Sequence, residues 1–185
     1  MFNDRKTLLI GGAGYVGTAV ARHLLKNGRN VNCLDNFIYE HRECISELDK
    51  NEKFNLLEGD FLSDAALNLA LRDVSDVVIL AGLVGDPITK KYPDESDKVN
   101  ADGIQKLFLR LDRRQLKRVI FVSTCSNYGL QHDDKLADEH SELNPLSKYA
   151  HAKVDAEKTI LNLRGKVDYK PTILRFATAF GLSER

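Results

Sequence analysis

Short apolar runs alternate with longer amphipathic segments along almost the whole chain. The apolar runs predict strands at residues 7–10, 30–34, 54–58, 77–80, 118–122 and 172–175. The segments between them predict helices at residues 16–27, 64–71, 96–113 and 145–163. Because strands alternate with helices, we expect right-handed crossovers and a parallel sheet with helices on both faces. The predicted fold class is therefore α/β, a doubly wound parallel sheet.

Composition and charge narrow the range of functions. The 185 residues suit one domain, 1–185, without an interdomain linker. Lys plus Arg and Asp plus Glu both number 27, so no net charge attracts nucleic acid or an anionic membrane. The apolar runs are too short to span a membrane, and the N-terminus lacks the pattern of a signal peptide. We therefore expect neither nucleic acid nor a membrane as a partner.

Cysteine and histidine usage indicates a reduced compartment and no metal site. The odd number of cysteines (Cys33, Cys44 and Cys125) lacks metal-site spacing, which favours reduced thiols in a cytoplasmic protein. The five histidines form no ligand pair with a carboxylate or thiol at metal spacing. The sequence accordingly predicts a cytoplasmic protein without a bound metal.

A glycine-rich segment separates the first strand from the first helix. Gly11, Gly14 and Gly17 follow the spacing G-x-x-G-x-x-G. Glycine lets the chain turn sharply, lets a pyrophosphate approach the backbone and lets the helix pack closely on the sheet. The start of the helix then offers unpaired N–H groups and the positive end of its dipole to phosphate. This pattern predicts a dinucleotide site, although glycine-rich turns without a ligand also exist.

Two aspartates at strand ends extend this prediction. Asp35 ends the second strand 18 residues after Gly17, where an acidic side chain accepts hydrogen bonds from the adenosine ribose. A carboxylate there repels a 2′-phosphate and favours NAD over NADP. Asp60 ends the third strand in the same way and could meet the adenine edge. Both could equally be carboxylates that cap a turn.

Tyr149 and Lys153 lie four residues apart in a predicted helix and therefore share one face. A nearby ammonium favours phenolate, so we expect Lys153 to lower the pKa of Tyr149 from about 10. Such a tyrosine could serve as a general acid or base near neutral pH. The same spacing also arises by chance in amphipathic surface helices.

Taken in order, these motifs resemble the extended short-chain dehydrogenase/reductases, and more closely the NAD-dependent epimerase/dehydratase family that acts on nucleotide sugars. Further matching segments run through almost the whole chain: Leu80-Ala81-Gly82-Leu83, Val99-Asn100-Ala101-Asp102-Gly103, Ser123-Thr124 to Tyr128-Gly129, and Arg175 to Phe180-Gly181. The resemblance implies a Rossmann-like fold, NAD as cofactor and a nucleotide sugar as substrate.

The resemblance also implies a role for individual residues. Tyr149 would be the acid/base at the sugar hydroxyl, Lys153 would hold the nicotinamide ribose and tune the phenol, and Thr124 would bond the same sugar oxygen. The hydride would leave a sugar carbon, usually C4, for NAD. The residues that would line the dinucleotide are Gly11, Gly14, Tyr15, Val16, Gly17, Asp35, Asn36, Asp60, Phe61, Leu80, Ala81, Gly82, Asn100 and Ser123, together with Tyr149 and Lys153.

Three positions depart from the family's patterns. Sugar-nucleotide 4,6-dehydratases carry an Asp-Glu pair directly after the catalytic Thr, whereas Cys125 and Ser126 stand here, which disfavours dehydration. Reductases that epimerise at two carbons place a cysteine two residues after that hydroxyl; Cys125 is one residue after Thr124, and we expect a small buried side chain. Thr178 replaces an Asn that contacts the substrate pyrophosphate in many relatives.

The resemblance further implies a homodimer through the helices at 96–113 and 145–163. Relatives continue well beyond this length, so we expect the C-terminal substrate-binding part to be absent from these 185 residues. Two alternatives to a nucleotide-sugar epimerase stay open at this point. One is a non-catalytic dinucleotide-sensing domain, and the other is a nucleotide-sugar 4,6-dehydratase.

Overall fold

Six parallel strands form a single sheet in the order β3-β2-β1-β4-β5-β6. This computed structural model describes residues 5–40, 42–83, 97–111, 116–130 and 136–181, with the backbone alone at 97, 98 and 101. The strands are β1 (Lys6–Ile10), β2 (Asn30–Asp35), β3 (Phe54–Glu58), β4 (Val74–Ile79), β5 (Arg118–Thr124) and β6 (Lys170–Phe176). The predicted Rossmann-like α/β fold is confirmed.

The connections between strands are helical. They include α1 (Tyr15–Lys26), α2 (Asp64–Ala70), α3 (Ile104–Arg110) and α4 (Lys148–Leu163). Two single turns of 3₁₀ helix occupy Arg42–Ile45 and Cys125–Tyr128. A π-helical segment, Asp97–Gly103, precedes α3.

The sheet has a hydrophobic cluster on each face because successive strand residues point in opposite directions. On β1, the fully buried Leu8 and Ile10 join one cluster and the fully buried Leu9 joins the other. Ala21 of α1 packs on the Leu9 side. The opposite cluster takes residues from α2, α3 and α4, among them Leu67, Phe108 and Ile160. Helices thus cover both faces, which accounts for strands rich in apolar residues.

Strand β4 begins earlier than its apolar run predicts. The run at 77–80 marks only its second half, since pairing with β1 starts at Val74. Asp76 is buried in the first half, where an oxygen of its carboxylate accepts a hydrogen bond from Arg29 Nη2 at 3.0 Å. A buried charge with such a partner is tolerated inside a strand. Because Asp76 interrupts the apolar run, the hydrophobic pattern did not show where β4 begins.

Two helices differ from their predicted bounds by more than one residue. The predicted helix at 96–113 is π-helical over Asp97–Gly103 and α-helical only over Ile104–Arg110, while residues 96, 112 and 113 lie outside the described part. The predicted helix at 145–163 begins at Lys148, because the Ser147 Oγ caps it by accepting a hydrogen bond from the Ala150 N–H at 3.2 Å.

The strand order reverses direction between β1 and β4, which are neighbours in the sheet although β2 and β3 separate them in sequence. At such a switch point the loops after the two strands turn opposite ways and leave a crevice at the carboxyl ends. The glycine-rich segment follows β1 and Leu80-Ala81-Gly82 follows β4. Both predicted motifs therefore meet at this crevice.

Candidate active site

The glycine-rich segment is shaped by close approaches that exclude side chains. Gly11 has a φ of +79°, and a Cβ atom there would lie 2.6 Å from the Ala81 backbone nitrogen. A Cβ atom on Gly17 would lie 2.5 Å from the Gly12 carbonyl oxygen. Gly14 precedes α1, and no side chain caps the helix start. The first turn of α1 thus presents backbone N–H groups to the crevice, as an anion site requires.

Asp35 ties this segment to the end of β2. Its Oδ2 accepts a hydrogen bond from the Ala13 N–H, and its Oδ1 accepts one from the Phe37 N–H, both at 2.9 Å. The Arg42 guanidinium lies over the Phe37 ring, and its Cζ is 4.5 Å from the ring centroid. The carboxylate therefore fixes the loops that follow β1 and β2.

A cavity of about 470 Å³ lies at the crevice and brings most of the predicted residues together. Its lining includes Gly11, Gly14, Tyr15, Val16, Gly17, Asp35, Asn36, Phe61, Leu80, Ala81, Gly82, Ser123, Thr124, Tyr149 and Lys153. The glycine-rich turn thus shares one cavity with the Tyr149–Lys153 pair, although more than 130 residues separate them in sequence.

Two residues predicted to line the dinucleotide are outside the lining of this cavity. The Asp60 Oδ1 accepts a hydrogen bond from the Leu62 N–H at 2.8 Å, as in an ordinary aspartate turn. The Asn100 side chain is buried against Leu83, whose N–H and carbonyl it binds, both at 2.9 Å. Asn100 therefore holds the segment after β4 in place. The side chains of Asp60 and Asn100 both bind backbone groups of the protein.

Sequence reasoning gave no individual role to a further group of lining residues. They come from the loop after β2, the end of β5 and the segment after β6: Phe37, Ile38, Tyr39, Val122, Phe176, Ala177 and Ala179, with Ala13, Leu34, Gly59, Leu83 and Val99 elsewhere. The position of these segments at the carboxyl ends of parallel strands is one signal that could have found them. For Leu83, Val99 and the residues after β6, the segments that match the family are a second signal.

Tyr149, Lys153 and Thr124 converge at one end of the cavity. The buried Lys153 donates a hydrogen bond from Nζ to the Val122 carbonyl at 2.9 Å, and its Nζ lies 5.8 Å from the Tyr149 ring centroid. The Thr124 Oγ1 accepts a hydrogen bond from the Ser126 N–H at 3.2 Å. A hydroxyl, a phenol and an ammonium thus line one space, as proton transfer at a bound alcohol requires.

The expected effect on the pKa of Tyr149 is wrong for this structure. Burial raises the pKa of Tyr149 to about 12, and the nearby Tyr39 and Cys125 add to the rise when they ionise. The Lys153 ammonium does not offset it, because its Nζ is directed at the Val122 carbonyl. Burial also lowers the pKa of Lys153 to about 8, against the opposing charge of Glu157.

Cys125 is exposed, so its predicted burial is also wrong. The chain leaves the sheet after Thr124, and the 3₁₀ turn Cys125–Tyr128 directs the cysteine outward. Ser126 is exposed as well, and Thr178 lies exposed beyond β6. The segment that carries Thr178 returns over the cavity, where the Tyr15 hydroxyl donates a hydrogen bond to the Gly181 carbonyl at 2.9 Å.

Among the described residues, no three His, Cys, Asp or Glu side chains come together as a metal site would need. Within the same ranges, every helix is too short or too polar to cross a membrane.

Comparison with known proteins gives consistent matches. The chain is 30% identical over 181 residues to UDP-glucose 4-epimerase of Lactobacillus helveticus, covering 96% of this chain and 53% of that one. UDP-glucuronic acid 4-epimerase of Bacillus cereus, solved with UDP-glucuronic acid and NAD, superposes with a TM-score of 0.88 at 28% identity, covering 97% and 59%.

UDP-N-acetylglucosamine 4-epimerase of Methanobrevibacter ruminantium, solved with UDP-N-acetylmuramic acid, gives a TM-score of 0.83 at 25% identity, covering 94% and 55%. The chain thus spans about half the length of the curated relatives it matches. The profile described as "NAD dependent epimerase/dehydratase family" matches residues 7–185. The chain therefore belongs to the NAD-dependent epimerase/dehydratase family.

Proposed function

We propose that this chain is the NAD-binding part of a nucleotide-sugar 4-epimerase and forms one domain over residues 1–185. The observation that carries the proposal is that Thr124, Tyr149 and Lys153 share one cavity with the glycine-rich turn. A dinucleotide at the turn would direct its far end towards these three side chains. Relatives that act on UDP-glucose, UDP-glucuronic acid and UDP-N-acetylglucosamine support a nucleotide sugar as substrate.

The residues at the cavity fit NAD. The backbone at Gly11 leaves no room for a Cβ atom and the start of α1 has no side-chain cap, so a pyrophosphate can approach the backbone amides. The Asp35 carboxylate at the end of β2 can accept hydrogen bonds from a ribose diol. At the other end, Lys153 would donate to the second ribose and Ser123 would line the ring site.

In this proposal the protein moves one proton and positions the sugar. NAD, when bound, supplies the site that accepts a hydride from C4 and returns it to either face of the ketone. Tyr149 takes the hydroxyl proton as the C4–H bond breaks and gives it back when that bond re-forms. The Lys153 ammonium, 5.8 Å from the Tyr149 ring centroid, would stabilise the phenolate formed in between once its Nζ turned from the Val122 carbonyl towards the phenol oxygen. Thr124 donates a hydrogen bond to the sugar oxygen.

Incubation with sugar nucleotides tests the proposal directly. The protein expressed from its natural reading frame is mixed with NAD and, separately, with UDP-glucose, UDP-glucuronic acid and UDP-N-acetylglucosamine. We expect the C4 epimer of one of them, detected by proton NMR. A 4-keto-6-deoxy product would show a dehydratase instead, and NAD binding without turnover of any nucleotide sugar would favour the sensing domain.

Asp35 should set the preference for NAD over NADP. Replacing Asp35 with Asn removes the charge and one of two backbone anchors. The NAD affinity should fall on the order of 10- to 100-fold, because a charged hydrogen bond contributes about 1.5–3 kcal/mol. The affinity for NADP should fall less, because the carboxylate no longer repels its 2′-phosphate. Calorimetric titration of both nucleotides measures the ratio.

Asp60→Asn is the matched control for Asp35→Asn. It removes a carboxylate from the next strand end, where Oδ1 binds one backbone N–H outside the cavity lining. Nucleotide preference should stay as in the unsubstituted protein. Equal affinity of the unsubstituted protein for NAD and NADP would contradict the role given to Asp35.

We extend the proposal to a cytoplasmic homodimer. All three cysteines are free, which fits a reducing compartment. Leu109 of α3 and Leu161 of α4 expose 60% and 53% of their surface, and pairing of two copies through these helices would cover them.

A further inference from the structure

A buried carboxylate stands one helical turn beyond Lys153 and is not part of the cavity lining. We propose that Glu157 is a positioning residue of the active site: it fixes α4 against the ends of β5 and β6 and supplies the negative charge that faces Lys153. This inference rests on the proposed function, because it explains how the proton-transfer groups are held. Glu157 is buried, with 1% of its surface exposed.

Glu157 connects the elements that carry the three proposed catalytic groups. Its Oε1 accepts hydrogen bonds from the Ser123 Oγ at 2.5 Å and from the Asn127 Nδ2 at 2.7 Å. Ser123 directly precedes Thr124 on β5, and Asn127 belongs to the turn that follows Thr124. One carboxylate on α4 thus holds both sides of Thr124 relative to Tyr149 and Lys153.

Arg175 joins β6 to the same carboxylate. Its Nε and Nη2 both donate to the Glu157 Oε2, at 3.0 and 2.7 Å, in a forked arrangement that fixes direction as well as distance. Its Nη1 donates to the Tyr128 hydroxyl at 3.1 Å, and that hydroxyl donates to the Asp138 carbonyl at 2.8 Å. The network therefore extends from α4 through β6 to the loop around residue 138.

The energetics of buried ion pairs support a positioning role. Two buried charges lose solvation that their attraction repays only partly, so such a pair is a weak source of stability compared with apolar packing. Its directional bonds, in contrast, allow one arrangement of the elements. Here that arrangement places the Lys153 Nζ within 2.9 Å of the Val122 carbonyl and 4.5 Å from the Phe121 ring centroid.

Charge is the second contribution of Glu157. Lys153 is buried, and Glu157 opposes the loss of its proton, so that the pKa of Lys153 stays as high as about 8. Four other titratable groups lie around Lys153 and Glu157. Tyr149 is on the same helix, Arg175 of β6 binds Glu157, and Tyr39 and Cys125 act on Tyr149. Glu157 is the carboxylate among these groups.

The experiment removes the charge and follows Lys153 directly. In Glu157→Gln, Lys153 should lose its proton at a lower pH than in the unsubstituted protein. Carbon NMR of selectively labelled lysine measures this titration, and Lys153→Arg identifies the signal. Since the ammonium is then lost earlier as pH rises, the alkaline limb of the kcat profile should move to lower pH. At neutral pH, kcat should fall on the order of 10- to 100-fold, as for a displaced catalytic group.

Glu157→Gln leaves Arg175 without its charged partner, which we expect to destabilise the fold, so a second variant accompanies it. Glu157→Gln/Arg175→Gln removes both charges, so that neither is left without its partner. Lys153 should titrate at lower pH there too, and Glu157→Asp should restore part of the difference. Asp155→Asn is the matched control: it removes an exposed carboxylate of α4, paired with Lys158, and should leave the Lys153 titration and kcat unchanged.

Two outcomes separate this inference from the proposed function. If Lys153 titrates identically in the unsubstituted protein and in both glutamine variants, Glu157 is only a structural residue and the inference is overturned. If the unsubstituted protein epimerises no nucleotide sugar while the Lys153 titration moves as expected, the positioning of Lys153 stands and the proposed function fails.

Discussion

Replacing Tyr149 with phenylalanine should lower epimerase turnover on the order of 10²–10⁴-fold, the contribution typical of a positioned general acid or base. The ring would stay in the cavity beside Lys153, and only the proton-carrying oxygen would be lost. NAD affinity should stay nearly unchanged, because the glycine-rich turn and Asp35 lie at the other end of the cavity. Turnover from C4 epimer formation and affinity from calorimetry, both on the protein from its natural reading frame, measure the two effects.

Tyr169→Phe is the matched control for Tyr149→Phe. The Tyr169 hydroxyl is also buried and donates a hydrogen bond to the Phe108 carbonyl at 3.0 Å, outside the cavity lining. Its loss should cost about 1 kcal/mol of stability without lowering kcat. If Tyr149→Phe kept the turnover of the Tyr169 variant, Tyr149 would have no role in proton transfer.

The fold follows from the sequence where one local pattern decides the structure. The apolar run at 54–58 predicts β3 at its observed bounds, and Gly28 ends the first helix because it adopts a φ of +75°. Prediction fails where a tertiary contact decides. Asp76 lies inside β4 because Arg29 reaches it from the loop before β2, and no local pattern records that pairing.

The candidate site also contains features that a local pattern predicts and features that only a tertiary contact decides. The residue spacing alone predicts that Tyr149 and Lys153 share a helical face, and the structure places both at the cavity. It does not predict where the lysine points. The Lys153 Nζ binds the Val122 carbonyl on β5, so burial decides the pKa of Tyr149 and reverses the expected direction. Glu157 escaped prediction for a related reason, because its partners Ser123, Asn127 and Arg175 lie on other elements.

Gly11→Ala should weaken NAD binding more than any change at the cavity that keeps the backbone in place. Gly11 adopts a φ of +79°, which costs an alanine about 1–2 kcal/mol. The new Cβ atom would also lie 2.6 Å from the backbone nitrogen of Ala81, and the backbone of this neighbouring loop cannot rotate away as a side chain could. To remove this overlap, the loop after β1 has to move away from the loop after β4, and this movement opens the phosphate site. Affinity should drop on the order of 100-fold or more, because a shift of about 1 Å at a binding site has effects of that size.

Gly165→Ala separates the two causes, because Gly165 has nearly the same backbone conformation, with a φ of +77°, and nothing within 4 Å of the added Cβ atom. It should lose the same 1–2 kcal/mol in urea unfolding and bind NAD as the unsubstituted protein does. The difference in stability between the two variants then measures the overlap with Ala81 alone, and the difference in affinity measures its effect on the phosphate site. If Gly11→Ala matched Gly165→Ala in both measurements, the close approach of the two loops would not be what forms the dinucleotide site.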